Sequence, residues 1–336
     1  MLKVLFRVDD GPGIGAGHLM RCLALAEEVH GQGGVIRLST ARSSRLHADW
    51  RNLDAQIHVE TRNVGEADDL RQTLQHIRDF VADWLVVDGY GFSSDWLDAI
   101  AAEIPVLCLD DLGNRDAAVQ LMLNQNAGAE QRYISAYNRC GRALLGLDWF
   151  LLRREWREVK HAPESRRLML TLGGEDPVNR MLELMQALLT DGRPFMADVV
   201  SSAPDIGLQK VMAMAQGRPD RFFVHRGPVA LPPLLRHAAV VISGGGVTSV
   251  EVVSQGVAPV IVILADNQKP GAEYLAAAGV ACSVGLGDGT LVKVARLALD
   301  LLDDDMTRST MAMRCRALID GSGPARVVAA MMEKSE

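Results

Sequence analysis

The chain has 336 residues, about twice the ~100–200 usual for one domain, so two domains are expected. Hydrophobic residues make up 48% and charged residues 23%, which excludes a disordered chain, a coiled coil and a collagen-like repeat. A formal net charge of −7 speaks against nucleic acid and anionic membranes as partners, and leaves any phosphate to local amides, helix ends and placed cations.

In chain order, the pattern predicts a strand over residues 3–8, a glycine-rich turn over 9–18, a helix over 18–30 and a strand over 35–39. A helix over 70–80 and strands over 84–87 and 106–109 follow. The densest charged stretch, residues 153–167, then interrupts the rhythm and marks a boundary between domains 1–155 and 156–336. Beyond it come strands over 168–172, 196–200, 240–242 and 259–263, with helices over 181–189, 247–255 and 273–278. Residues 305–334 are helical again with a break at 321–324, and this last helix can cross back onto the first half. Val-, Ile- and Leu-rich strands alternating with helices indicate α/β domains built on parallel sheets.

Other classes are set aside on composition. Aromatic residues are only 5%, against stacking as the main mode of sugar binding, whereas 31 glycines suit many tight strand-to-helix turns. Cys22, Cys108, Cys140, Cys282 and Cys315 are scattered, form no C-x-x-C pair and read as buried cytosolic thiols. The apolar run over residues 1–6 reaches Asp9 too soon for a signal peptide, and the longest apolar stretch, 257–265, is too short for a membrane span. A cytoplasmic protein without membrane insertion, monomeric or weakly homo-oligomeric, is expected.

Three strands end in glycine-rich turns that open helices. The first carries Asp9, Asp10, Gly15 and Gly17 before His18; the second carries Gly173 and Gly174; the third runs Gly244-Gly245-Gly246-Val247-Thr248. Such turns bring backbone close to a ligand and aim the unpaired N–H groups of a helix start at it. His18 stands where a dinucleotide fingerprint needs glycine, and no P-loop occurs. Glycine loops at the carboxyl ends of strands in both halves point to the ligand edge of open α/β sheets, and so to a nucleotide or nucleotide-sugar ligand in a cleft that two Rossmann-like domains face.

Among the eight histidines only His18 sits at such a loop; His30, His47, His58, His76, His161, His225 and His237 show no metal-ligand spacing, so no metal is expected. A helix start favours the neutral imidazole, which makes His18 a candidate general base. Asp9 and Asp10 can orient its other nitrogen or simply form the turn, and Arg21, one helical turn on, can meet a phosphate, a carboxylate or solvent. A nucleoside diphosphate is already a good leaving group, so one base suffices where an ordinary glycoside needs two carboxylates.

Arg7-x-Asp9 followed by Ile14-Gly15-x-Gly17-His18-x-x-Arg21-x-Leu23-x-Leu25-Ala26 resembles the opening motif of the PseG family, nucleotide-sugar hydrolases of pseudaminic acid biosynthesis. Further matches run in order along nearly the whole chain: Asp88-x-Tyr90-Gly91, Asp110-Asp111, Leu123-Asn124-x-Asn126, Gly146 with Leu152-Arg153-x-Glu155, Leu172-Gly173-Gly174-x-Asp176-x-x-Asn179, and Asn267-Gln268. The resemblance implies a glycosyltransferase-B architecture, related to the transferase that adds N-acetylglucosamine in peptidoglycan synthesis. It implies inverting, cofactor-free and metal-independent hydrolysis of UDP-2,4-diacetamido-2,4,6-trideoxy-β-L-altropyranose to UDP and free sugar, with His18 activating water. It further implies that Asp9, Gly15, Gly17, Arg21, Tyr90, Asn267 and Gln268 line the sugar pocket. UDP is then held by Gly173, Gly174, Gly245, Gly246, Val247 and Thr248, with Glu251 on the ribose by fold analogy. Departures from the family are Glu175, where relatives carry Ser or Thr, Pro12, which removes an amide donor, and Trp149 in place of an aromatic hydroxyl. The alternative is a glycosyltransferase of the same fold that uses His18 on an acceptor hydroxyl.

Overall fold

The computed structural model describes residues 1–9, 17–60, 63–157, 163–164, 166–173, 178–201, 205–226, 229–285, 287 and 289–333. They form two compact units, Met1–Arg154 with Gly321–Glu336, and Glu155–Asp320.

The first unit is built on strands β1 (Lys3–Val8), β2 (Val35–Thr40), β3 (Gln56–Val59), β4 (Trp84–Asp88), β5 (Val106–Leu109), β6 (Leu121–Asn124) and β7 (Arg142–Leu145). They make one sheet in the order β3-β2-β1-β4-β5-β6-β7, parallel at every pairing. The two-residue period of β1 sends Val4, Phe6 and Val8 into a core with the helix Gly17–Gly31 and with Val327, Val328 and Met331 of the helix Gly323–Met332. Leu5 turns to the other face, against Ile77, Trp96 and Leu97. Arg7 shares that second face and is fully buried, so its charge must be answered there: Asp69, in the first turn of the helix Ala67–Phe80, lies 2.8 Å from Nη2 and accepts from Nε at 2.9 Å.

The second unit holds β8 (Arg167–Thr171), β9 (Met196–Ser201), β10 (Phe222–Arg226), β11 (Val240–Gly244), β12 (Pro259–Ile263) and β13 (Cys282–Gly285). Its sheet runs β10-β9-β8-β11-β12-β13, again parallel throughout. Leu168 and Leu170 of β8 pack under Met181, Leu184 and Leu188 of the helix Val178–Asp191, and the helix Thr290–Asp303 adds Val294, Ala298 and Leu302.

The α/β class with two parallel sheets is thus the one the alternating pattern predicts. The strands it leaves out are β3, β6, β7, β10 and β13, and four of these are sheet edges. The helix expected over 273–278 begins earlier, at Lys269, because Pro270 occupies its first turn, where a missing N–H costs nothing. Among the described residues no helix is long and apolar enough to cross a membrane.

Candidate functional site

Each sheet has one place where the strand order reverses direction: between β1 and β4 in the first unit, and between β8 and β11 in the second. In open α/β sheets this switch point, at the carboxyl ends of the strands, is where ligands bind. The glycine turns singled out from sequence follow β1, β8 and β11 in the chain, and the ends of these three strands stand at the two switch points.

In the first unit, Asp9 extends β1 by one residue and its N–H donates to the Asp88 carbonyl at 2.8 Å, tying the end of β1 to that of β4. Gly89 closes this approach with φ of +142°; a Cβ there would stand 2.2 Å from Asp9 Cβ. Gly89→Ala is therefore expected to lower stability by about 3 kcal/mol, through backbone strain and overpacking together, read as a lower urea midpoint. A midpoint equal to that of the parent would show that the strand ends are not so tightly joined.

His18, buried in the first turn of the helix Gly17–Gly31, places Nδ1 3.2 Å from the Asp9 carbonyl oxygen. A carbonyl only accepts, so Nδ1 carries the proton and Nε2 of the neutral ring is the basic nitrogen. The Tyr90 ring meets the imidazole edge-on, with centroids 4.9 Å apart at 75°. Tyr90 is 52% exposed, and its hydroxyl donates to Asp111 at 3.4 Å. Burial, together with the Asp111 carboxylate, pushes the Tyr90 phenol up, so it stays a neutral donor.

Arg21 meets carboxylates of its own chain. Nε and Nη2 form a fork on the fully buried Asp88 at 2.6 and 2.5 Å, and Nη1 reaches Asp111 at 2.6 Å. Burial alone would raise the Asp111 carboxyl, but the Arg21 guanidinium and its hydrogen bond hold it below the usual carboxylate range, with smaller help from His18 and Asn126. Asn126 donates to the Asp111 carbonyl at 3.2 Å. Asp88, Asp111 and Asn126 stand in the motifs that carry the family resemblance but were given no site role from sequence; each also stands at or just past the end of an apolar strand. The parallel order β1-β4-β5-β6 sets these strand ends side by side, which is why residues from 9 to 126 meet. Cys22 lies against Asp88 with Sγ 3.5 Å from Oδ2, and burial raises its thiol well above the ordinary value, so it is an inert neighbour.

In the second unit, β11 ends in Gly244, and Gly246 caps the helix Val247–Ser254. Gln268, from the turn Asp266–Gln268, accepts from the N–H of Gly245 at 3.2 Å and from that of Leu264 at 2.9 Å. Gly245 is tightly placed: a Cβ would stand 3.0 Å from Gln268 Cβ and 3.3 Å from Ile261, so these side chains would have to give by a few tenths of an ångström. The Gly245 amide is thus already used, whereas those of Gly246, Val247 and Thr248 have no acceptor among the described residues. Val247 and Asn267 are exposed, Thr248 is half-buried, and Glu251 is buried one turn further on. Gly173 is exposed beyond β8, and Gly17 is exposed at the start of its helix. Gly15, Gly174 and Glu175 lie outside the described residues.

One set was missed from sequence altogether. His58 and Glu60 at the end of β3, and His76 on the helix Ala67–Phe80, bring ligand-type atoms within 4.8 Å of one another.

No protein-family model matches the chain. It is similar to MJ1062, an uncharacterized protein of Methanocaldococcus jannaschii, with 21% identity over 276 residues, 78% of this chain and 55% of that protein. The chain therefore spans about half the length of that curated relative. Among solved structures, MurG of Acinetobacter baumannii superposes with a TM-score of 0.68 at 16% identity, covering 99% of this chain and 100% of that one. A glycosyltransferase of Rickettsia africae gives 0.70 at 11% identity over 99% of both chains. CalG4, the calicheamicin glycosyltransferase, gives 0.65 at 16% identity over 99% of this chain and 98% of its own. At such identities the likeness is one of fold, and the fold is the two-sheet glycosyltransferase-B architecture.

Proposed function

We propose that the chain hydrolyses a UDP-linked 2,4-diacetamido-2,4,6-trideoxyhexose at its anomeric C–O bond, releasing UDP and the free sugar for pseudaminic acid biosynthesis. The observation that carries this reading is His18: a buried imidazole at a sheet switch point, its Nδ1–H fixed on the Asp9 carbonyl and its Nε2 left as the acceptor. Water attacks the anomeric carbon as Nε2 takes its proton, and the sugar–oxygen bond to the diphosphate breaks with inversion. Tyr90, half exposed beside the imidazole, offers a neutral hydroxyl and a ring edge to the sugar. Arg21 acts in this reading as the brace of two strand ends, because its donors are engaged by Asp88 and Asp111. Asn267 is assigned to sugar binding by the family resemblance.

UDP is assigned to the loops of the second unit. The open amides of Gly246, Val247 and Thr248 and the start of their helix take up charge on the leaving diphosphate, with Glu251 on the ribose. Gln268 holds this loop in shape through two amides. Gln268→Ala is expected to weaken UDP binding about tenfold, since the turn that presents the open amides loses the two hydrogen bonds that shape it. Calorimetric titration with UDP reads this directly, and unchanged affinity would remove Gln268 and its loop from the nucleotide site.

A second reading is favoured by the glycosyltransferases that share the fold: the same base acts on an acceptor hydroxyl instead of water. NMR of a panel of UDP-diacetamido-trideoxyhexoses with the purified protein separates the two. UDP and free sugar appearing without any acceptor support hydrolysis, and a strict acceptor requirement supports transfer.

A further inference from the structure

We propose that His58, Glu60 and His76 form a divalent transition-metal site of the zinc type, which clips the edge strand β3 to the helix Ala67–Phe80. The site is separate from the reaction proposed above: β3 lies two strands from β1 in the sheet order.

The local chain explains the grouping. His58 belongs to β3, and Glu60 continues its ladder, its N–H donating to the Thr40 carbonyl at 2.7 Å. Residues two apart on an extended strand share a face, so the imidazole and the carboxylate point the same way. His76, in the helix Ala67–Phe80, stacks its ring at 4.6 Å from that of His58, tilted by 39°, and sets Nε2 3.5 Å from Glu60 Oε1. One ligand-type atom from each of the three lies within 4.8 Å of the other two. The His76 and Glu60 side chains are only 12% and 13% exposed.

A second, independent feature is the polar accounting. Nε2 of His58 and Nδ1 of His76 are buried and have no hydrogen-bond partner among the described residues. Buried ring nitrogens are nearly always paired, so an orphan nitrogen in so small a cluster calls for an occupant, and one ion takes a single nitrogen from each ring.

The donor set selects the class of ion. Two imidazoles and one carboxylate suit zinc and its neighbours rather than magnesium or calcium, which prefer all-oxygen shells. Zinc bonds of roughly 2.0–2.2 Å in a tetrahedron separate the ligand atoms by roughly 3.4 Å, so the present spacing closes by small side-chain rotations. Three protein ligands leave the fourth position to water. Arg37, which stands over Phe80 at 4.5 Å and donates to Gln56 at 2.6 Å, is the nearby cation that works against the site. The benefit falls on β3, an edge strand whose residues are half-buried or exposed and which has one pairing partner, β2.

The test uses the full chain, free of any affinity tag and stripped with a chelator, titrated with Zn2+ by calorimetry and heated with and without the ion. One equivalent is expected to bind and to raise the thermal midpoint. His58→Ala and His76→Ala are each expected to weaken that binding by more than about tenfold and to abolish the thermal shift. His237→Ala, an exposed histidine of the second unit, is expected to leave both unchanged. Zn2+ binding in the parent no tighter than in the His58→Ala/His76→Ala double variant overturns the site. Should the alanine variants fail to fold, the Co2+ complex of the parent decides. Intense visible bands of tetrahedral, nitrogen-ligated cobalt support the proposal, and the weak spectrum of the hydrated ion overturns it.

Discussion

His18→Asn is expected to lower the turnover of UDP release about a thousandfold while leaving UDP affinity within twofold of the parent, the middle of the ~10²–10⁴ range for loss of a positioned general base. Asparagine keeps a polar group of similar size at the helix start and can still donate to the Asp9 carbonyl, so the link between the helix start and the end of β1 is preserved. What it lacks is a nitrogen that accepts a proton. Because the orienting acceptor is the main-chain carbonyl of Asp9, the imidazole tautomer does not depend on the Asp9 carboxylate, and His18→Ala should add little to the loss already seen with Asn. The measurement is steady-state UDP release with the preferred UDP-sugar, beside calorimetric UDP binding. Turnover within tenfold of the parent would mean that another group is the base, in hydrolysis and in transfer alike.

How far these features were legible differs between centre and edge. β1, β5 and β12 were predictable to the residue because central strands are buried on both faces and read as unbroken apolar runs. β3, β7, β10 and β13 are edge strands, with sequences such as QIHV and CSVG that mix polar residues into short spans; only the neighbouring strand makes them extended. β6 is fully buried, but its apolar run is only Leu121–Leu123 before the polar Asn124, shorter than the unbroken run of β5. The same limit hid the His58 cluster, whose third member comes from a helix 16 residues beyond Glu60 and whose first two sit on an unrecognised strand. For the candidate site, the types of residue were visible and the pairings were not. Sequence spacing placed Arg21 one turn after His18, but only the adjacency of β4 and β5 shows that Asp88 and Asp111 take up its charge.

That pairing makes Arg21→Met the substitution with the largest expected cost to stability, about 3–5 kcal/mol, because it strands the carboxylate of a residue with no exposed surface. Asp88 receives two of the guanidinium bonds and Asp111 the third, so one change unties the ends of β4 and β5 from the helix Gly17–Gly31. Asp88→Asn should cost less, since a neutral amide is cheaper to bury than a lone charge. The Arg21→Met/Asp88→Asn pair should then unfold at a higher urea concentration than Arg21→Met alone. The transition is best followed by tryptophan fluorescence, to which the first unit contributes Trp50, Trp84, Trp96 and Trp149. Additive losses would show that Arg21 and Asp88 are not coupled. The pH dependence offers a further check with a definite sign. Asp111 is lowered in the folded state, so its stabilising share is complete above an unfolded value of about 3.9 and is lost as pH falls through the lower folded value. In Arg21→Met that acid-side loss should flatten, since the guanidinium that lowers the Asp111 carboxyl is gone. The double variant should recover part of the stability without recovering turnover, because a brace that sets Tyr90 and Asp111 beside His18 is needed for geometry as well as for folding.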